Sequence, residues 1–251
     1  MTTPPQPARR IALLSDMHGN AAAFRAVLEE VHPADYDVIA LGGDYVAHGP
    51  RPAETLDLCR QLRSPAILGN TDVHVFERAE QGTRWTADRL DEAGHRWLAQ
   101  RPFSARFRAV EGNPDTDLLL VHANPTDLNS VLISQKHPLG AFTITGDQEA
   151  RALLGDVRAD LLVYGHVHYD SQGDLDGQRV ASVGSIGLPY DGDHRAAWAV
   201  LTWDGAHWQI EHRRVEYDWR PVAEELDACG SPMGTLIAER VRTARFGRPA
   251  S

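Results

Sequence analysis

The chain has 251 residues, 42% of them apolar and 24% charged, which suits a globular α/β protein with a full-sized core. Its 35 Asp+Glu outnumber its 25 Lys+Arg, and the formal charge of −10 argues against a partner bound by neutralising many nucleic-acid phosphates. No apolar run approaches the roughly 18 residues of a membrane span. The first residues, MTTPPQPARR, lack the apolar segment of a secretory signal. Two distant cysteines, Cys59 and Cys229, argue against a disulfide framework or a thiolate metal site, and the cytoplasm is the expected compartment. The lone lysine, Lys136 in SQKHP, excludes a Walker-type phosphate loop.

In chain order, residues 1–8 are rich in Pro and Thr and are expected to be disordered. Short apolar runs then recur at 11–14, 38–41, 66–68, 118–121 and 161–164. Their continuous rather than alternating hydrophobicity predicts central strands covered on both faces. Helices are expected at 21–31, capped by Asn20, at 53–63 behind Pro52, at 83–100 and at 147–154. Strands are expected at 179–183, 196–203 and 208–215, the last two forming a hairpin around Asp204 and Gly205. The tail from Pro221 looks helical in patches. Residues 9–215 form the expected α/β domain, and 216–251 a partly helical appendage whose Arg240, Arg242, Arg245 and Arg248 are either solvated or a partner's docking point.

What stands at the end of each apolar run carries the chemistry. The five runs lead into Asp16 and His18 in SDMHGN, Asp44 in GGDYV, Asn70 in GNTD, His122 in VHANP, and His166 and His168 in YGHVH. Every one of these side chains can ligate a metal, and each lies at the carboxyl end of a predicted strand, the edge where open α/β sheets build their sites. Carboxylate, imidazole and amide donors without a thiolate suit Mn²⁺, Fe²⁺, Co²⁺ or Zn²⁺. Seven ligands exceed what one ion with an open position needs. They suit a pair sharing a carboxylate, the usual device for phosphoryl chemistry.

These blocks resemble the calcineurin-like metallophosphoesterase superfamily. Its pattern is D-x-H, G-D, G-N-[HC]-[DE], a lone His and G-H-x-H. Here it stands as Asp16-Met17-His18, Gly43-Asp44, Gly69-Asn70-Thr71-Asp72, His122 and Gly165-His166-Val167-His168. The likeness spans about residues 9 to 215, and GSIGLPYDGD at 184–193 is similar to the small bacterial phosphodiesterase-type members. The resemblance implies a two-sheet mixed β-sandwich flanked by helices, in four αββα layers. It implies one ion held by Asp16, His18 and His168, a second by Asn70, His122 and His166, and Asp44 between them. It further implies manganese first, with iron, cobalt, nickel or zinc as alternatives, a bridging hydroxide attacking phosphorus in line, and a small phosphorylated substrate without a membrane or sequence-specific nucleic-acid partner. Asp44 and Asn70 would serve in catalysis as well as in binding.

One departure stands out. Many relatives carry a His after the Asn to protonate the leaving oxygen, and this chain has Thr71, a poor general acid. His48 and His74 are the candidate substitutes. Arg51, after GP, is a further candidate for a phosphate contact, against an exposed residue at a helix start. Each motif alone has an ordinary explanation: DMHGN as a helix entry, GGD and GNTD as turns, HVH as strand histidines. A phosphodiesterase is the first expectation and a protein or diadenosine-polyphosphate phosphatase the second. A non-catalytic scaffold of the same fold is the alternative from another class. A metal-dependent amidohydrolase is disfavoured, since that class places its HxH after the first strand.

Overall fold

The computed structural model describes residues 4–139 and 142–247. Two mixed sheets stack face to face with helices on both outer sides. The larger sheet holds β1 (Gln6–Pro7), β4 (Ser104–Arg108), β5 (Asp117–Val121), β6 (Leu161–Tyr164), β8 (Gln178–Val183) and β7 (Asp170–Leu175), in the order β1-β4-β5-β6-β8-β7. The smaller runs β10-β9-β2-β3, from β10 (Trp208–Val215), β9 (Ala196–Trp203), β2 (Arg10–Leu14) and β3 (Val38–Leu41). This is the expected four-layer αββα arrangement.

The continuous apolar runs are explained by the pleat, which sends alternate side chains to opposite faces. In β2, Ile11 and Leu13 enter the core between the sheets, with Leu118, Leu120, Leu161 and Val163 opposite. Ala12 and Leu14 point the other way, toward Phe24 and Val27 of α1 (Ala21–Glu30) and Leu56 and Cys59 of α2 (Pro52–Leu62). Leu119 and Leu162 meet α6 (Asp147–Leu154) through Ala150, Leu153 and Leu154 on the far side. Each such Leu, taken fully from water, contributes ~1.5–3 kcal/mol.

Several expectations need correction. Residues 6–7, within the 1–8 segment, pair in parallel with Phe107 and Arg108, where the exposed edge of β4 supplies backbone partners. The run 66–68 forms only a single parallel bridge, Leu41 to Ala66, because Pro65 removes a donor beside it. The helix expected over 83–100 is two, α4 (Gln81–Ala87) and α5 (Glu92–Ala99), separated where Asp91 caps the second by accepting from Gly94 N–H at 2.6 Å. The hairpin of β9 and β10 forms as expected, with Asp204 Oδ1 accepting from Ala206 and His207 N–H at its turn. Unexpected were β4, β7 and α3 (Asn70–Glu77). Beyond the sandwich, α7 (Arg220–Ala228) and α8 (Gly234–Thr243) pack as a pair. Arg248 lies outside the described residues. Among the described residues, no helix is long and apolar enough to cross a membrane.

Candidate metal centre

The carboxyl ends of β2 and β3 meet those of β5 and β6 at one edge of the sandwich, so each sheet contributes about half of the site. The chain leaves these strands abruptly. Asp16, His18, Asp44, His166 and His168 all adopt left-handed backbone, with φ between 49° and 64°. An L-residue held there is strained by roughly 1 kcal/mol or more. Mutual backbone bonds hold these turns: Asp16 N–H donates to Gly43 O at 3.1 Å, His18 N–H to Asp44 O at 2.9 Å, and Gly165 N–H to His122 O at 2.9 Å.

Two glycines are required by close approach. A Cβ on Gly69 would stand 2.2 Å from Asp44 Oδ1, and one on Gly165 would stand 2.2 Å from Asp16 Oδ2. The glycines of GNTD and YGHVH therefore make room for the carboxylates opposite them.

Ligand atoms of Asp16, His18, Asp44 and His168 converge in one buried group, and those of Asp44, His122 and His166 in a second. Asp44 belongs to both. Its Oδ2 lies 3.5 Å from His18 Nε2, and its Oδ1 lies 3.4 Å from His122 Nε2. In the first group His168 Nε2 stands 3.2 Å from Asp16 Oδ1. In the second, Asn70 Oδ1 lies 3.0 Å from His122 Nε2 and 3.2 Å from His166 Nδ1. All seven side chains named by the sequence motifs thus fall into two groups joined at Asp44.

The imidazoles are oriented from behind, as ligating histidines usually are. Nδ1 of His18, His122 and His168 donates to the carbonyl oxygens of Ala47, Gly42 and Leu188, and Nε2 of His166 donates to that of Asn129. A carbonyl oxygen only accepts, so these four contacts leave a lone pair on the inward nitrogen of each neutral ring. His18 Nε2 and His168 Nε2 then face each other at 3.0 Å, and His122 Nε2 faces the Asn70 and Asp44 oxygens. The facing His18 and His168 nitrogens repel each other unless a cation lies between them, and so the pair fits a divalent ion.

Electrostatics agree. Burial, the largest single influence, would push Asp16 and Asp44 up, but the surrounding histidines together outweigh it, His168 foremost for Asp16 and His122 for Asp44, and both carboxyls lie below their usual range. Burial holds His18 down to about 3 and His166 to about 4, so both are neutral and ready to ligate. His122 is the exception: despite burial, Asp44 and Asp16 lift it to about 10. Protonated, it supplies a positive charge among the carboxylates.

His48 stacks on His18 with ring centroids 5.2 Å apart, and burial presses it down to about 4. His74 sits half-buried on α3. Thr71 N–H donates to Asp44 Oδ1 at 2.9 Å, while its hydroxyl is buried without a partner among the described residues. Arg51 lies away from the ligands, paired with Glu225 and Glu54 at the start of α2. Sequence reasoning missed Asp72, whose carboxylate accepts from the N–H groups of Asp44, Tyr45 and Gly69; its place in GNTD was the available signal. It also missed Tyr190, which stacks on His168 at 4.5 Å.

Comparison with known proteins fits this geometry. Residues 9–170 match the family model described as calcineurin-like phosphoesterase. An uncharacterized protein of Methanocaldococcus jannaschii is 26% identical over 232 residues, 86% of this chain and 91% of that one. The symmetrical bis(5'-nucleosyl)-tetraphosphatase of Pectobacterium atrosepticum is 28% identical over 161 residues, 54% of this chain and 55% of its own, so the match spans about half of that enzyme. Among solved structures, a metallophosphoesterase from Sphaerobacter thermophilus superposes with a TM-score of 0.74 at 24% identity, covering 94% of this chain and 99% of that one.

Proposed function

We propose, for a chain that belongs to the calcineurin-like phosphoesterase family, that it is a binuclear metal-dependent hydrolase of phosphodiesters with good leaving groups. The observation that carries this reading is Asp44, one carboxylate turned to two ligand groups. Asp16, His18 and His168 would hold one ion, and Asn70, His122 and His166 the other, with Asp44 shared. Bound there, two divalent ions would activate water and neutralise the charge that builds on the phosphoryl oxygens. Manganese is the first choice for a set of carboxylate, amide and imidazole donors.

The chain's own residues shape the rest. Backbone carbonyls hold each imidazole so that its other nitrogen faces the centre, free in His18 and His166 and freed in His122 once its proton is lost. Proton donation to the leaving oxygen is the weak point. The Thr71 hydroxyl is a poor acid, and His48, at about 4, is neutral at pH 7. That leaves His74 as the remaining candidate donor. A missing general acid costs ~10²–10⁴-fold on alkoxide leaving groups and little on groups that depart as stable anions. Both cysteines are free thiols, which suits the reducing cytoplasm.

A second reading, hydrolysis of dinucleoside polyphosphates, is favoured by the likeness to the tetraphosphatase. A phosphoanhydride also departs as a stable anion, so Thr71 does not oppose it. Metal-stripped protein reconstituted with Mn²⁺ tests these readings against bis-p-nitrophenyl phosphate, p-nitrophenyl phosphate and diadenosine tetraphosphate. Metal-dependent preference for the first supports the phosphodiesterase, and preference for the third supports the second reading. No turnover of any substrate together with no bound metal would leave the scaffold alternative in its place, whereas two bound ions without turnover would mean a more demanding natural substrate.

A further inference from the structure

The segment GSIGLPYDGD supplies no ligand in the hydrolytic reading, yet its backbone grips both Asp16 and His168. Gly187 N–H and the Ser185 hydroxyl donate to Asp16 O at 2.9 and 2.8 Å. Leu188 N–H donates to the same Ser185 hydroxyl at 2.9 Å, and Leu188 O accepts from His168 Nδ1 at 2.7 Å. Asn20, which caps α1, donates from Nδ2 to Gly187 O at 2.9 Å. Hydrogen bonds thus pin the first half of the segment.

The second half presents Tyr190. Its N–H donates to His168 O at 3.0 Å, and its ring lies over the His168 ring, with centroids 4.5 Å apart and planes 16° from parallel. His18 approaches the same imidazole at 4.7 Å, tilted by 47°. One hydrogen bond at Nδ1 leaves an imidazole free to swing, because the terminal torsion of histidine is broad. The flat contact with Tyr190 takes that freedom away. Tyr190 is itself held by the C-terminal helices: with Leu188 it is buried against Val222 and Leu226 of α7 and Ile237 and Val241 of α8. Phe246 meets its ring edge-on at 5.3 Å, and Arg240 Nη1 donates to its hydroxyl at 3.4 Å. All seven candidate ligands precede these helices in the chain, so the helix pair acts on His168 through Leu188 and Tyr190.

We propose that Tyr190 is a positioning residue of the metal centre. Its ring fixes the His168 imidazole for the ion assigned to Asp16, His18 and His168, and so carries the packing of the C-terminal helix pair into that ion's affinity. This rests on the metal assignment above and not on which ester is hydrolysed. Removing a group that orients a ligating histidine costs ~10–100-fold in metal affinity. The ion assigned to Asn70, His122 and His166 draws its orienting carbonyls from Gly42 and Asn129, and it serves as the internal control.

The test reads Mn²⁺ binding by calorimetry in two single-site backgrounds of the full chain. His166→Ala keeps the group of Asp16, His18, Asp44 and His168, and His18→Ala keeps that of Asp44, His122 and His166. In the first background Tyr190→Leu weakens binding by ~10-fold or more, while Tyr190→Phe, which keeps the flat ring, stays within about twofold. In the second background both variants stay within about twofold of the unsubstituted tyrosine. Tyr190→Met takes the place of Tyr190→Leu if the latter fails to fold. Undiminished affinity for the first ion in Tyr190→Leu overturns the proposal. So does a loss shared equally by the two backgrounds, or a loss that Tyr190→Phe shows as well. Absence of binding in both backgrounds with Tyr190 intact overturns the metal assignment and this proposal together. The Tyr190 effect in a chain that hydrolyses no ester removes the hydrolytic reading alone; hydrolysis without the Tyr190 effect removes this proposal alone.

Discussion

Asp72 holds Asp44 from behind: its Oδ2 accepts the Asp44 N–H at 2.9 Å, and the same oxygen accepts from Gly69 at 3.0 Å. Its Oδ1 takes the Tyr45 N–H at 3.0 Å. One fully buried carboxylate thus ties the turn after β3 to the start of α3, fixing the shared ligand Asp44 relative to Asn70. Burial and the nearby Asp44 push its own carboxyl up to about 7, so the position is an expensive one to ionise.

Asp72→Asn replaces one acceptor with an amide NH₂ that must face backbone N–H groups. The expected loss is ~1–3 kcal/mol of stability, together with weaker metal binding. Denaturant midpoints of the metal-free and metal-loaded protein measure both. A variant as stable as wild type, with unchanged metal affinity, would show that Asp72 positions nothing.

Metal loading should release a proton from His122. In the metal-free protein its pKa of about 10 exceeds the ordinary 6.5, so it is charged at neutral pH, whereas His18 and His166, at about 3 and 4, are already neutral. Affinity for one of the two ions therefore rises by about tenfold per pH unit between pH 7 and 9. Calorimetry in buffers of different ionisation enthalpy counts the proton. The raised pKa also stabilises the metal-free fold fully below 6.5, and that contribution is lost as pH rises through about 10. In the loaded protein His122 is a neutral ligand, so its melting temperature should not follow that decline. A loaded protein that follows it would contradict the assignment of His122.

Gly165→Ala places a methyl carbon where Asp16 Oδ2 and Ser15 Oγ now lie, at 2.2 and 2.4 Å. The carboxylate must shift, and the ion proposed for Asp16, His18 and His168 is the one expected to be lost first. Metal analysis of the purified variant checks this. The second ion, held around His122, should be retained more strongly.

Thr71 gives a test of leaving-group chemistry that barely touches stability. Its hydroxyl is already without a partner, so Thr71→Val should change stability by less than ~1 kcal/mol. Thr71→His is expected to raise turnover of esters with poor leaving groups relative to p-nitrophenyl esters. A series of aryl and alkyl esters reads the slope, and an unchanged slope would mean that position 71 does not face the leaving oxygen.

The sandwich was legible because its central strands are buried on both faces. Runs such as Leu118–Leu120 leave no polar side for solvent, and the ligands stand directly after them. The misses follow the same logic in reverse. β4 carries Arg106 and Arg108, which look like surface residues until both pair with buried Asp117 in the neighbouring strand. β7, with Asp170, Gln172 and Asp174, is a polar edge strand without an apolar signature. α3 begins inside GNTD, where turn residues and a helix cap are the same residue types. Within the candidate site, the motifs named all seven converging side chains, but nothing local could announce that Tyr190 would stack on His168. Its place comes from packing against the C-terminal helix pair, far along the chain from Asp16 and His18.

The most direct measurement is metal content together with turnover of bis-p-nitrophenyl phosphate, in wild type and Asp44→Asn, after stripping and reconstitution with Mn²⁺. The account predicts two ions per wild-type chain and metal-dependent turnover. It predicts fewer than two ions and no turnover in a variant that remains folded. Asp44→Asn that keeps both ions and wild-type turnover would contradict the claim that one carboxylate joins two metal sites.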